Sequence, residues 1–148
     1  MHTDKNFSLI NPTPEHAMLR EMLKSFVKSE VEPQAHEFDR KEQFNLALFK
    51  KLGGLGLLGI TVTDNFGGAG LDATAAVIAH EELSASDPGF CLAYLAHSML
   101  IVNNLAVNGS ESQKQKYLPG LCSGTCWSHG HERTCSGYRC FRYADNSH

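Results

Sequence analysis

The chain has 148 residues, 42 % of them hydrophobic, and a formal net charge of −3, the size and balance of one ordinary folded domain. That charge excludes the basic footprint of a nucleic-acid binder, and Met1 to Ile10 has neither the apolar core of a signal peptide nor the Arg-rich character of a transit peptide, so the expected place is the cytoplasm. Of five cysteines, the body of the chain keeps only Cys91 and Cys122, the sparse usage of a reducing compartment.

A polar lead-in over residues 1–12 precedes Thr13, placed to cap a helix that begins at Pro14. Leu19, Met22, Leu23, Phe26, Val27 and Val31 recur at steps of three and four, one apolar stripe, with Arg20, Glu21, Lys24 and Lys28 on the wet face. Pro33 should kink or end this helix, and Gln34 to Gln43 follows as a helical continuation or a loop, with Phe44 as its hydrophobic anchor. Asn45 can cap a short helix that Gly53, Gly54 and Gly56 break, and Leu57 to Val62 reads as an extended buried segment. Gly67, Gly68 and Gly70 have the spacing of neither a Walker loop nor a dinucleotide fingerprint, which leaves a tight turn before the next helix.

Asp72 can cap that helix, whose Ala75, Ala76, Ile78, Ala79 and Leu83 form a small-residue face for close helix approach. Glu81 and Glu82 are neighbours in it and should point apart, into solvent or toward a capping role, not act as an acid and base pair. From Phe90 to Val107 nearly every position is apolar or small, capped by Asp87 and Pro88 before it and stopped by Gly109 after Asn108. Its length approaches that of a membrane span, yet it carries His97, Ser98, Asn103 and Asn104. The expectation is a central bundle helix, buried on most sides and not in a membrane, whose side chains would meet any ligand entering the bundle. Ser110 with Gln113 makes a capping box for a last short helix, which Pro119 should terminate. The predicted fold is all-α, a helical bundle over residues 13–124 with an irregular tail over residues 125–148.

Gly56-Leu57-Leu58-Gly59-Ile60, Gly67-Gly68 with Gly70, Glu81-Glu82-Leu83, His97-Ser98, Gly109 with Gln113-Lys114, Tyr117-Leu118-Pro119 and Leu121 to Gly124 follow one another in an order that resembles the N-terminal α-helical domain of the acyl-CoA dehydrogenases. The stretch around Ala96-His97-Ser98 most resembles the isovaleryl-CoA dehydrogenase branch, and one departure is Thr63-Asp64, where the family usually has Pro-Glu. The resemblance implies a flavoenzyme that oxidises an acyl-CoA to the 2,3-enoyl-CoA. A carboxylate removes the α proton, the β hydrogen passes as hydride to the flavin, and electron-transferring flavoprotein takes the electrons. In that family FAD and the catalytic Glu belong to a middle and a C-terminal domain, of which this sequence holds no counterpart, and the intact enzyme is a homotetramer. The expectation is therefore no catalytic residue and no bound FAD in this chain. What the resemblance does place here is a wall of the acyl pocket, at Leu92, Leu95, Ala96 and Met99. Glycine holds the position of Leu95 in the isovaleryl-type enzymes, so leucine should favour short or branched acyl groups.

The tail is foreign to such a domain. Its 24 residues, Thr125 to His148, contain no Leu, Ile, Val, Met or Lys but three Cys, three His and the only Trp, a composition that cannot extend a core. Cys122, Cys126, His129, His131, Cys135 and Cys140 include enough donors for a zinc site, but their spacing fits no standard finger. Translation out of frame accounts for more. If His129 to Thr134 are written with the permitted codons CAT GGC CAT GAG CGA ACC, reading one base on gives Met-Ala-Met-Ser-Glu-Pro, which resembles the family's flavin-contacting motif. Permitted codons for Cys135 to Cys140 continue it as Ala-Ala-Gly-Thr-Asp-Val. Two functions of different class follow: a fragment of a flavin-dependent acyl-CoA dehydrogenase, inactive by itself, or a non-enzymatic helical interaction module with a zinc-binding tail. A flavin band or stoichiometric zinc in pure protein separates them.

Overall fold

The computed structural model describes residues 11–125, which form helices and turns with no strand among the described residues. Thr13 opens the fold as the sequence predicts: its hydroxyl accepts the His16 N–H at 3.3 Å, and Pro14 begins α1 (Pro14–Phe26). Pro33 has no N–H to offer the Ser29 carbonyl, and the turn ahead of it, Val27–Val31, is widened, with the Glu32 N–H bonding the Val27 carbonyl five residues back. The rod therefore continues through proline as α2 (Glu32–Arg40). Phe44 is the expected anchor, stacked 5.8 Å from Phe90 and tilted 5.5 Å from Phe49. Asn45 caps α3 (Leu46–Gly54) by accepting the Leu48 N–H at 3.0 Å.

The extended segment predicted for Leu57 to Val62 is instead a tight turn. Gly56, at φ +76°, turns the chain into a 3₁₀ turn, Leu57–Gly59. The Val62 N–H then closes onto the Gly59 carbonyl at 3.0 Å. The prediction of burial holds, since Leu57, Leu58, Ile60 and Val62 are all within 2 % of full burial; a turn that bonds its own backbone is buried as cheaply as a strand would be, and needs no partner strand.

Asp72 caps α4 (Ala73–Ser86), accepting the Ala75 N–H at 2.9 Å, and the same oxygen accepts the His16 Nε2–H at 2.9 Å, which ties the starts of α1 and α4 together. The Ala75 N–H, with His16 second, holds the Asp72 carboxyl below its usual range. The expectation that Glu81 and Glu82 point apart is overturned. Arg20, on α1, is only 8 % exposed and grips both, Nη2 to Glu81 at 2.6 Å and Nη1 to Glu82 at 2.5 Å, while its Nε–H donates to Asn11 at 2.9 Å. Two neighbouring carboxylates converge because a guanidinium fork is wide enough to span them.

Asp87 and Pro88 start the long rod, α5 (Pro88–Leu95), a widened turn Ala96–Asn103, and α6 (Asn104–Asn108). Ser98 gives the reason for the widening: its hydroxyl donates to the Tyr94 carbonyl at 2.8 Å and competes with the backbone ladder. This rod, 21 residues long, is the one helix among the described residues long and apolar enough to cross a membrane. It is not buried on most sides, as its sequence suggested: Leu92, Leu100 and Val107 are 67, 62 and 69 % exposed. Phe90, Tyr94, His97 and Val102 enter the core, and the opposite face is open.

Pro119 does not end the last helix. The capping box forms as predicted, and α7 runs Glu111–Cys122 with Pro119 inside it. Burial of Leu118, Leu121 and Cys122 holds the turn after the proline, offsetting its missing hydrogen bond. Two apolar clusters result. The larger joins α1, α3, α4 and α5 around Leu23, Phe49, Leu52, Leu83 and Tyr94; the smaller joins α7 to the rod through Val62, Val102, Leu118, Leu121 and Cys122.

His97 ties the smaller cluster to the rod. It is fully buried, edge-on to Phe49 at 5.1 Å, and its Nε2–H donates to the Leu121 carbonyl at 3.0 Å, one of the acceptors left open at the end of α7. Burial lowers its pKa, more than the Leu121 bond raises it. The folded state thus disfavours the proton that the unfolded chain takes up near pH 6.5. His97 stability is fully present above that pH and is lost as pH falls below it. Between pH 7.5 and 5.5 the urea midpoint should drop by the equivalent of about 1 kcal/mol, and His97→Gln should flatten that dependence. An equal drop in the variant would assign it elsewhere.

Candidate functional site

The open face of the long rod and the facing side of α4 enclose a groove of about 690 Å³. From α4 come Ala73, Ala76, Val77 and His80, and from the rod Cys91, Leu92, Leu95, Met99 and Asn103. Alanines at 73 and 76 leave the space that larger side chains would fill. The rod's widened turn sets the pattern on the other wall: Leu95, Met99 and Asn103 step by four, whereas α-helical spacing would have brought Val102 round, which is fully buried in the smaller cluster.

Three of the four residues that the sequence assigned to a pocket, Leu92, Leu95 and Met99, line this groove together. Ala96 does not: it is half-buried on the rod beside the groove, one residue on from Leu95. Sequence reasoning missed the α4 wall, treating its alanines as packing only and passing over Val77 and His80.

The groove is apolar, and most of its polar groups are paired. The Thr61 hydroxyl donates to Asn103 Oδ1 at 2.9 Å, the Ser84 hydroxyl to the Glu81 carbonyl at 3.1 Å, and the Glu81 carboxylate is held by Arg20. The Cys91 Sγ–H donates to the His80 carbonyl at 3.4 Å, and burial, with Asp87 nearby, pushes its thiol up and away from thiolate chemistry. No described pair here combines a nucleophile with a base. The lining holds no Lys or Arg to meet a pyrophosphate, so these residues do not fit a flavin dinucleotide; they fit an apolar chain. Among the described residues no group of three His, Cys, Asp or Glu could hold a metal. Of the sequence's zinc candidates, Cys122 is 1 % exposed with its thiol pushed up to about 11 by burial, and the other five lie outside the described residues.

Residues 13–125 match the sequence profile of the acyl-CoA dehydrogenase N-terminal domain. Isovaleryl-CoA dehydrogenase, mitochondrial, of Pongo abelii is 45 % identical over 112 residues, 74 % of this chain and 26 % of that protein. Among solved structures, acyl-CoA dehydrogenase complexed with FAD from Bacillus anthracis superposes with a TM-score of 0.69 at 34 % identity, over 86 % of this chain and 21 % of that one. A chain from the structure of the electron transferring flavoprotein of Acidaminococcus fermentans gives a TM-score of 0.73 at 30 % identity, over 84 % of this chain and 32 % of that one. This chain thus spans about a quarter of the length of the curated relatives it matches.

Proposed function

The chain belongs to the acyl-CoA dehydrogenase family through its N-terminal helical domain, and from that premise we propose that its groove is one wall of the acyl pocket of an enzyme that oxidises short or branched acyl-CoA thioesters to 2,3-enoyl-CoAs. The observation that carries this is the groove itself, an apolar channel between the open face of the long rod and α4. The chain's share of the reaction is to hold and shape the acyl group. The proton-abstracting carboxylate and the flavin chemistry lie outside its described residues, and the open apolar strip of the rod meets the rest of such an enzyme, not lipid. The intact enzyme is a homotetramer that passes electrons to an electron-transferring flavoprotein.

The tail belongs to the same proposal. The family match ends at residue 125, where the composition turns foreign, and with permitted codons a one-base shift would give a motif like the family's flavin-contacting one just beyond it. The 148-residue chain by itself then binds no FAD and has no dehydrogenase activity. Nothing observed favours the zinc-bearing module, since Cys122 is sealed in the core.

The test of the groove is Leu95→Gly in the enzyme translated in the restored frame. Leu95 is 36 % exposed and lines the groove. Each methylene of acyl chain that the vacated space admits is worth roughly 1 to 3 kcal/mol of discrimination, so kcat/KM should move toward acyl groups one or two carbons longer by about tenfold or more. An unmoved preference would make Leu95 a packing residue and remove the groove from the pocket.

A further inference from the structure

The open strip of the long rod has a pattern of its own. Leu92 and Leu100, 67 and 62 % exposed, stand four residues before and four after Ala96, which is small and half-buried. In a plain α-helix, residues eight apart drift about 80° round the axis. The widened turn from Ala96 to Asn103 holds more residues per turn and takes up that drift, so both leucines face one way. Leu95 and Met99 flank them on the groove side, and Val107 continues the strip toward the end of the rod. No Asp, Glu, Lys or Arg occurs from Pro88 to Asn108. The chain's negative charge therefore lies off the rod and does not oppose contact with a like surface.

We propose that this strip is an interface between two copies of the chain, packed rod against rod and antiparallel about a two-fold axis at Ala96. A two-fold contact requires a surface complementary to itself. Leucine, alanine and leucine at equal spacing meet that condition: Leu92 of one copy comes opposite Leu100 of the other, twice, and the two small alanines at the centre let the rods approach closely. Leu92 shares the mouth of the groove with Val77, which is 56 % exposed, so the same contact covers Val77. These side chains leave apolar surface on the order of 500 Å², near the upper limit for a lone folded domain. Two such faces bury about 1,000 Å² in all, the lower limit of a specific interface, so the dimer is weak and reversible. The pairing concerns the 148-residue chain, whose described residues leave the strip open, and it does not depend on the groove being an acyl pocket.

Sedimentation equilibrium of the 148-residue chain from about 1 µM to 1 mM should show the mass rising from one chain toward two and no further, with a micromolar dissociation constant. Leu92→Lys and Leu100→Glu each place an unpaired charge in the contact and should each weaken association more than about tenfold. Both positions are exposed, so neither change reaches the core, and circular dichroism checks that the helices persist. Within one chain the two positions stand about 12 Å apart along the rod and cannot pair. An equimolar mixture of the two variants should therefore associate again, because the lysine at 92 of one copy meets the carboxylate at 100 of the other while the second pair stays leucine on leucine. A chain that is still monomeric at about 1 mM, an assembly that grows past two, a dimer indifferent to Leu100→Glu, or single variants that mixing does not rescue would each overturn the two-fold pairing. None of these results touches the acyl pocket, which Leu95→Gly tests.

Discussion

Replacing Arg20 with methionine should cost about 3 kcal/mol of stability, roughly 10 °C in Tm for a domain of this size. Arg20 is nearly buried, and its guanidinium joins α1 to α4 through Glu81 and Glu82 and reaches back to Asn11. The Glu81 carboxylate, and Glu82 after it, hold the guanidinium charged against the opposing effect of burial. Methionine fills much the same volume, so the loss would come from stranding the carboxylates, above all Glu82, whose side chain is 14 % exposed. Glu81, at 55 %, can turn to water and should contribute little. Arg20→Lys keeps a charge but no fork, and should recover only part of the loss. Thermal melts at low salt check this. A drop of under about 1 kcal/mol in Arg20→Met would place the cluster among ordinary surface pairs.

Two glycine-to-alanine changes should move stability in opposite directions. A Cβ on Gly68 would land 2.5 Å from the carbonyl carbon and from the Cβ of Val62 and press on that residue's carbonyl oxygen. The obstacle is backbone, fixed by the Gly70 N–H bond to the same oxygen at 2.7 Å, so it cannot swing aside. Gly68→Ala should lose about 3 to 5 kcal/mol, the size reserved for changes the core cannot absorb. Gly54 closes α3, and a Cβ there meets nothing within 4 Å. Gly54→Ala should gain about 0.5 to 1 kcal/mol from helix propensity and a less disordered unfolded chain. Urea unfolding of both variants decides; a mild Gly68→Ala would mean that the loop yields where it looks fixed.

Local rules made much of this legible in the sequence. Thr13, Asn45, Asp72, Asp87 and Ser110 each cap the helix they precede, because a cap depends on residues within four positions of itself. The departures lie where distant chemistry decides. Pro119 sits inside a helix because Val102 and its neighbours bury the turn beyond it. Glu81 and Glu82 converge because Arg20 arrives from 61 and 62 residues away. On the site, Leu92, Leu95 and Met99 of the groove came from the family resemblance, and steps of three and four put them on one face. The α4 wall did not, because alanine reads as close packing in a sequence and makes a void only when the facing helix stands off. His80 carried no local signal: that its Nε2 is buried without a partner among the described residues is decided by the fold.

We propose that this domain belongs to a flavin-dependent acyl-CoA dehydrogenase whose coding frame is lost near residue 125. The most direct measurement is the absorption spectrum of protein made after a one-base change restores that frame, taken anaerobically before and after adding isovaleryl-CoA. A yellow protein whose flavin band bleaches with substrate is expected, beside a colourless 148-residue chain. A restored protein without flavin, or one whose flavin no acyl-CoA reduces, would contradict it.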